Sequence, residues 1–162
     1  TTVKLDSPVE IDGVRYPCSY VELGNPGIPH AVVPYRGLQE ADENELRELG
    51  RKIRWYAEFP KGANVNFYEV VGEDLVCERT FERGVEDFTY ACGTGTGSVV
   101  TVLTLQGRVS GKDVRVTMPG GELRIDAERV HSHIASLYLT GPTNIVCKGE
   151  ITDEDLPPIP GM

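Results

Sequence analysis

Between Glu82 and Gly97 the chain reads Glu-Arg-Gly-Val-Glu-Asp-Phe-Thr-Tyr-Ala-Cys-Gly-Thr-Gly-Thr-Gly, and its reactive side chains gather there. Cys92 is followed by Gly93, Thr94 and Gly95, and then by the run Ser98–Gln106, which is long and apolar enough for a buried helix. The cysteine is therefore expected at a helix start. Unpaired backbone N–H groups and the positive end of the helix dipole favour a thiolate there and lower its pKa. The same donors can hold a carboxylate. Upstream, Arg83 suits a two-pronged carboxylate contact and Glu82 can receive an ammonium group, so a zwitterionic ligand would satisfy both. A phosphate-binding role is set aside. The Lys-[Ser/Thr] ending of a P-loop is missing, and the glycine spacing does not match a dinucleotide fingerprint.

These residues need elements to carry them. Residues 65–71 alternate as a strand, turn at Gly72-Glu-Asp74 and return over 75–81, a hairpin whose ends present Asn64, Glu82 and Arg83. Residues 1–12 suggest a strand or hairpin turning at Asp12-Gly13, and 16–23 the next strand. The stretch Gly24–His30, with two prolines and two glycines, reads as an irregular loop presenting Asn25 and His30 before the short strand 31–34. From Leu38 to Tyr56 the pattern predicts a surface helix with Leu46, Leu49, Ile53 and Tyr56 on its buried stripe and its charges on a solvated face. Strands are expected at 114–118, 122–125, 134–139 and 145–147, and a loose tail at 153–162. Many short strands with one helix apolar on several sides imply an α+β domain over 1–152, its antiparallel-rich sheet curled as a barrel around that central helix.

Lys and Arg number 16 and Asp and Glu 25, a formal charge of −9, which disfavours nucleic acid or an anionic membrane as partner. No apolar run approaches the roughly 18 residues of a membrane helix, and the chain reads as soluble and cytoplasmic. The four cysteines form no Cys-x-x-Cys pair, and His30, His131 and His133 do not flank them at metal-ligand spacing, so no metal site is expected. Cys18, Cys77 and Cys147, inside or beside strand-like runs, read as small buried hydrophobes.

With Asn64 in Asn-Val-Asn-Phe, Glu82-Arg83-Gly84, Ala91-Cys-Gly-Thr-Gly95, Gly120-Gly-Glu-Leu123 and Leu139-Thr-Gly-Pro142 in this order, nearly the whole chain resembles the C-terminal half of diaminopimelate epimerase. The resemblance implies two similar domains facing a cleft, each a sheet around a helix, and no metal or pyridoxal cofactor. It implies a pair of cysteines, one removing the α-proton of an amino acid and the other returning a proton to the opposite face. Cys92 would be the C-terminal member. Gly93 and Thr94 would hold the reacting carboxylate, and Asn64, Glu82 and Arg83 the distal end of the substrate. The implied partners are a small amino acid and an N-terminal half, and a homodimer is left open. In the family the loop reads Gly-Asn-Pro-His without interruption, whereas here Gly27-Ile-Pro29 intervenes before His30. Either Asn25 keeps the asparagine role or Ile28 takes its place. A racemase of another amino acid and a non-catalytic ligand-binding domain are the alternative readings.

Overall fold

A computed structural model describes residues 2–150, so the tail expected at 153–162 lies outside the described residues. The chain opens with β1 (Thr2–Lys4), the small hairpin β2 (Val9–Ile11) and β3 (Val14–Tyr16), then β4 (Ser19–Leu23) and β5 (Ile28–Pro34). Helix α1 (Glu43–Arg54) leads to β6 (Asn64–Gly72), β7 (Leu75–Glu82) and β8 (Asp87–Thr89). Helix α2 (Gly93–Leu105), β9 (Val114–Met118), β10 (Gly121–Val130) and β11 (His133–Thr140) complete it. The principal sheet runs β1-β4-β5-β6-β7-β9-β10-β11, with β8 pairing the end of β7. Its pairs are antiparallel except β5 with β6 and β7 with β9.

Strand periodicity divides the core into two layers. On β5, β6 and β7 one set of alternate residues (Ala31, Val33, Val65, Phe67, Cys77, Phe81) packs with Leu46 and Ile53 of α1. The other set (Val32, Tyr68, Val76) packs with Val99, Val100, Val102 and Leu103 of α2. Val114, Val116, Ile125 and Ala127 close on the same helix from β9 and β10, so the sheet curls around α2 as expected. From Gly95 to Thr104 every residue of α2 is buried.

Helix α1 starts later than its sequence suggests because Asp42 caps it, accepting from the N–H groups of Asn44 and Glu45 at 2.9 and 3.0 Å. Acidic residues occupy its first turn and basic ones its last, as the dipole prefers. Its charges are not all on a solvated face. Arg54 is only 5% exposed and pairs with Glu86. Helix α2 starts earlier than the apolar run at Ser98, at Gly93, since the glycines let it begin against the sheet.

Three further expectations fail. The loop Gly24–His30 is shorter than expected: residues 24–27 turn, but Leu23 pairs with Ile28, and Pro29 and His30 continue β5. Strand β10 runs on to Val130 instead of stopping at Ile125, because β11 supplies ladder partners from Arg124 to Val130. Residues 145–147 form no strand. Ile145 and Val146 are 83% and 91% exposed beyond the last paired strand, and Cys147 is consequently exposed, not buried. Cys18 and Cys77 are buried as read.

Because Leu103 is wholly buried where α2 fills the curl, Leu103→Ala should cost about 2–5 kcal/mol. Denaturant unfolding measures it; a loss below 1 kcal/mol would mean that α2 does not fill the core.

Candidate active site

Cys92 is the N-cap of α2, in extended backbone (φ −137°, ψ 101°), and its carbonyl accepts the Thr96 N–H at 2.9 Å. Gly93 and Thr94 lie in the first turn, where N–H groups have no acceptor four residues back. Gly93 is exposed and Thr94 half-buried. A helix end with free donors, open at Gly93, can take a carboxylate. The Cys92 sulfur is 3.7 Å from the Thr94 hydroxyl.

Contrary to the sequence expectation, the Cys92 thiol is pushed above its ordinary value. Burial is the largest cause. The Gly95 N–H and the Thr94 hydroxyl pull it down, and the carboxyls of Glu82 and Glu78 push it further up. The helix end acts in the direction foreseen, but desolvation outweighs it. In this environment Cys92 carries its proton at neutral pH.

Asn64, Glu82 and Arg83 come together at the ends of β6 and β7. The Asn64 carbonyl oxygen accepts the Arg83 N–H at 2.8 Å, and its amide donates to the Pro29 carbonyl at 3.1 Å. Asn64 thus ties two chain segments together. The Arg83 guanidinium extends to the Lys61 carbonyl at 3.1 Å. The turn that follows is held from behind: one Glu86 oxygen accepts from Gly84 N–H at 3.0 Å and from Arg54 at 3.1 Å. Arg54 also stacks over Trp55, 4.0 Å from its ring centroid.

Asn25 is exposed in the β4–β5 turn. It is Pro29 and His30 that lie against Asn64, through the Pro29 carbonyl and the parallel pairing of His30 with Asn64. Ile28, immediately before them, opens β5, and Asn25 lies in the preceding turn. His30 is fully buried.

Beneath the Cys92 turn lies a polar layer that the sequence reading passed over. Asn66, Glu78, Thr80 and Thr96 are all buried. His30 Nδ1 donates to Asn66 Oδ1 at 2.9 Å, and Asn66 Nδ2 donates to Glu78 Oε1 and Thr80 Oγ1, each at 2.8 Å. Thr96 Oγ1 meets Glu78 Oε2 at 2.8 Å and the Cys92 carbonyl at 3.0 Å. Burial raises the Glu78 carboxyl to about 7 against the pull of its three hydrogen bonds, and burial lowers His30 to about 4. The signal was present as polar residues two apart, Asn64-x-Asn66 and Glu78-x-Thr80-x-Glu82, on strands buried on both faces.

Gly95 is required by this packing. A β-carbon there would sit 2.2 Å from Asn66 Nδ2 and 3.2 Å from the Cys92 sulfur. Among the described residues no cluster of three His, Cys, Asp or Glu could hold a metal ion, and no helix is long and apolar enough to cross a membrane.

A sheet curled around a helix is a fold also found among solved structures. A probable proline racemase from Agrobacterium radiobacter K84 superposes with a TM-score of 0.58 at 17% identity, covering 83% of this chain and 45% of that one. At that identity the likeness establishes the fold alone. The diaminopimelate epimerase family model matches residues 23–146. The diaminopimelate epimerase of Aquifex aeolicus is 42% identical over 134 residues, 82% of this chain and 46% of the relative. That of Leptospira biflexa is 34% identical over 147 residues, 91% of this chain and 48% of the relative. The chain belongs to the diaminopimelate epimerase family. It spans about half the length of the curated relatives it matches.

Glu78 and His30 bend the pH dependence of stability in opposite directions. Glu78, raised in the folded state from 4.5 to about 7, costs stability as pH rises through that window. His30, lowered from 6.5 to about 4, costs stability as pH falls through its own. Glu78→Gln removes only the first, so the variant should gain on the parent as pH rises from 4.5 to 7. Unfolding midpoints across pH test this; a constant difference would mean that Glu78 is not buried and neutral.

Proposed function

We propose that this chain is the C-terminal half of a cofactor-independent diaminopimelate epimerase, in which Cys92 exchanges the α-proton across one face of the substrate. The carrying observation is the Cys92 sulfur at the α2 N-cap, beside the free N–H groups of Gly93 and Thr94. A carboxylate seated on those donors would bring the α-carbon to the sulfur. The donors would also stabilise the charge that builds on the carboxylate as the proton leaves. Glu82 and Arg83, fixed by Asn64 and Glu86, would receive the ammonium and carboxylate of the distal end.

Inversion needs an acid and a base on opposite faces of one carbon. Cys18 and Cys77 belong to the core layer shared with α1, on the far side of the sheet from α2, and so cannot oppose Cys92. This supports a second thiol contributed by an N-terminal half, whose closure would also exclude water. On this reading the enzyme works in the cytoplasm, in lysine and peptidoglycan precursor synthesis.

The test is α-deuterium uptake into diaminopimelate in deuterated buffer. The complete two-domain enzyme should exchange, and Cys92→Ala should remove about 10²–10⁴-fold of that rate. The isolated 162-residue chain should fold yet neither exchange nor convert isomers. Arg83→Lys should lower kcat/KM about 10–100-fold, because a point charge cannot reproduce a charged two-pronged contact. Turnover by the isolated chain would overturn the half-site reading, and an active Cys92→Ala enzyme would overturn the assignment of the thiol.

A further inference from the structure

The buried carboxyl of Glu78 lies outside the chemistry just described, yet it is tied to the backbone of Cys92 through one hydroxyl. From the bonds that Glu78, Thr96 and Asn66 make, we propose that Glu78 is a positioning residue for Cys92, holding the first turn of α2 and setting the charge beneath its thiol. The inference rests on the reading of Cys92 as the proton-transferring thiol.

The direction of each hydrogen bond carries the argument. With Oδ1 facing the His30 ring, Asn66 must turn its amide hydrogens to Glu78 Oε1 and Thr80. Thr80 can add its own hydroxyl hydrogen to the same Oε1, at 3.2 Å. Oε1 is therefore an acceptor in either protonation state. Oε2 faces Thr96 alone, at 2.8 Å, so the titrating proton belongs there.

Thr96 has one hydroxyl hydrogen and two acceptors in reach, Glu78 Oε2 and the Cys92 carbonyl at 3.0 Å. When Glu78 is protonated, the carboxyl donates to Thr96 and frees that hydrogen for the Cys92 carbonyl. When Glu78 is ionised, Thr96 must turn to the carboxylate. The carbonyl keeps only its helical bond from the Thr96 N–H, at 2.9 Å, and a buried negative charge now lies beneath the thiol. Loss of the proton thus loosens the turn and disfavours the Cys92 thiolate together.

The surrounding titratable groups are few. Burial and the bonds to Thr96, Asn66 and Thr80 govern Glu78, with no charged neighbour contributing. His30 reaches it through Asn66 and is held neutral by burial, with Arg83 nearby. Cys92 itself faces Glu82 as well as Glu78. Glu78 is the group here that changes charge near neutral pH.

The test is the alkylation rate of Cys92 from pH 6 to 10, resolved by peptide mass spectrometry so that exposed Cys147 does not interfere, on the 162-residue chain. Labelling needs no turnover, so failure here is distinct from failure of the epimerase reading, which deuterium uptake reports. The parent should show two steps, one as Glu78 titrates near 7 and one for the thiol. Glu78→Gln should show a single step at lower pH, labelling at least about threefold faster at pH 8 with one like charge removed. Thr96→Val, which removes a hydrogen bond favouring the carboxylate but leaves the carboxyl in place, should move the Glu78 step to higher pH, whereas Thr96→Ser, keeping the hydroxyl, should leave it where the parent has it. A Glu78→Gln profile that superposes on the parent in folded protein overturns the proposal. If Glu78→Gln does not fold, superposing Thr96→Val and Thr96→Ser profiles overturn it equally.

Discussion

The close approach of α2 to the sheet at its glycine-rich end is the constraint on which the site depends. A β-carbon at Gly95 would strike Asn66, and one at Gly97 would come within 2.7 Å of Leu137 and 3.3 Å of Leu23. With both positions bare, the helix can start inside the curl of the sheet, and its first turn is held by Thr96 from below while Gly93 opens outward. A helix end so placed has donors for a ligand, open to solvent at Gly93. The same seating desolvates Cys92, so the raised thiol is a consequence of the approach that makes the donors useful.

The sheet resolves two demands by alternation. On β6 and β7 the buried residues facing α1 are Val65, Phe67, Cys77 and Phe81, with Arg79 between the last two reaching Glu43 of α1, and this layer supplies packing. Those facing α2 pass from Tyr68 and Val76, under the middle of the helix, to Asn66, Glu78 and Thr80 near its start and Asn64 and Glu82 at the rim. Polarity therefore rises along one face of the hairpin toward the mouth of the curl. A buried polar layer is costly unless its members satisfy one another; the Asn66–Glu78–Thr80–Thr96 bonds do so, while the buried His30 Nε2 is left without a partner among the described residues.

How much of this could be read beforehand followed how local each signal was. The hairpin, the α1 stripe and the buried α2 run all rest on periodicity within a segment, and all appear. The Glu82–Arg83 turn and Cys92 were visible because unusual residue types crowd a short stretch. What escaped depends on partners distant in sequence. The prolines of Gly24–His30 suggested a loop, but Pro29 enters a strand because β4 and β6 flank it. Conversely, residues 145–147 had a strand's composition but, among the described residues, no strand pairs with them. Glu78 looked like one charge in an alternating strand. Its burial follows only from α2 covering that face, and Arg54 is hidden because Glu86 and Trp55 come to meet it.

The state of Cys92 bears on the order of events under the proposed chemistry. A two-thiol inversion begins with one sulfur ionised and the other carrying the proton to be delivered. Burial and the carboxyls of Glu82 and Glu78 hold the Cys92 proton in place. A substrate carboxylate seated on Gly93 and Thr94 adds a third negative neighbour and consumes donors that would otherwise favour a thiolate, so binding strengthens the hold. Under that chemistry, a Cys92 thiol so raised would enter as the acid, and its opposite number as the base. Once Cys92 had delivered its proton it would be left as the thiolate, and the opposite sulfur, having taken the α-proton, would be the thiol, so the roles would be exchanged for the reverse reaction. The Gly95 N–H and the Thr94 hydroxyl, which pull the thiol down, would favour that thiolate. On that scheme the same contacts would leave the sulfur in the form from which the reverse reaction starts.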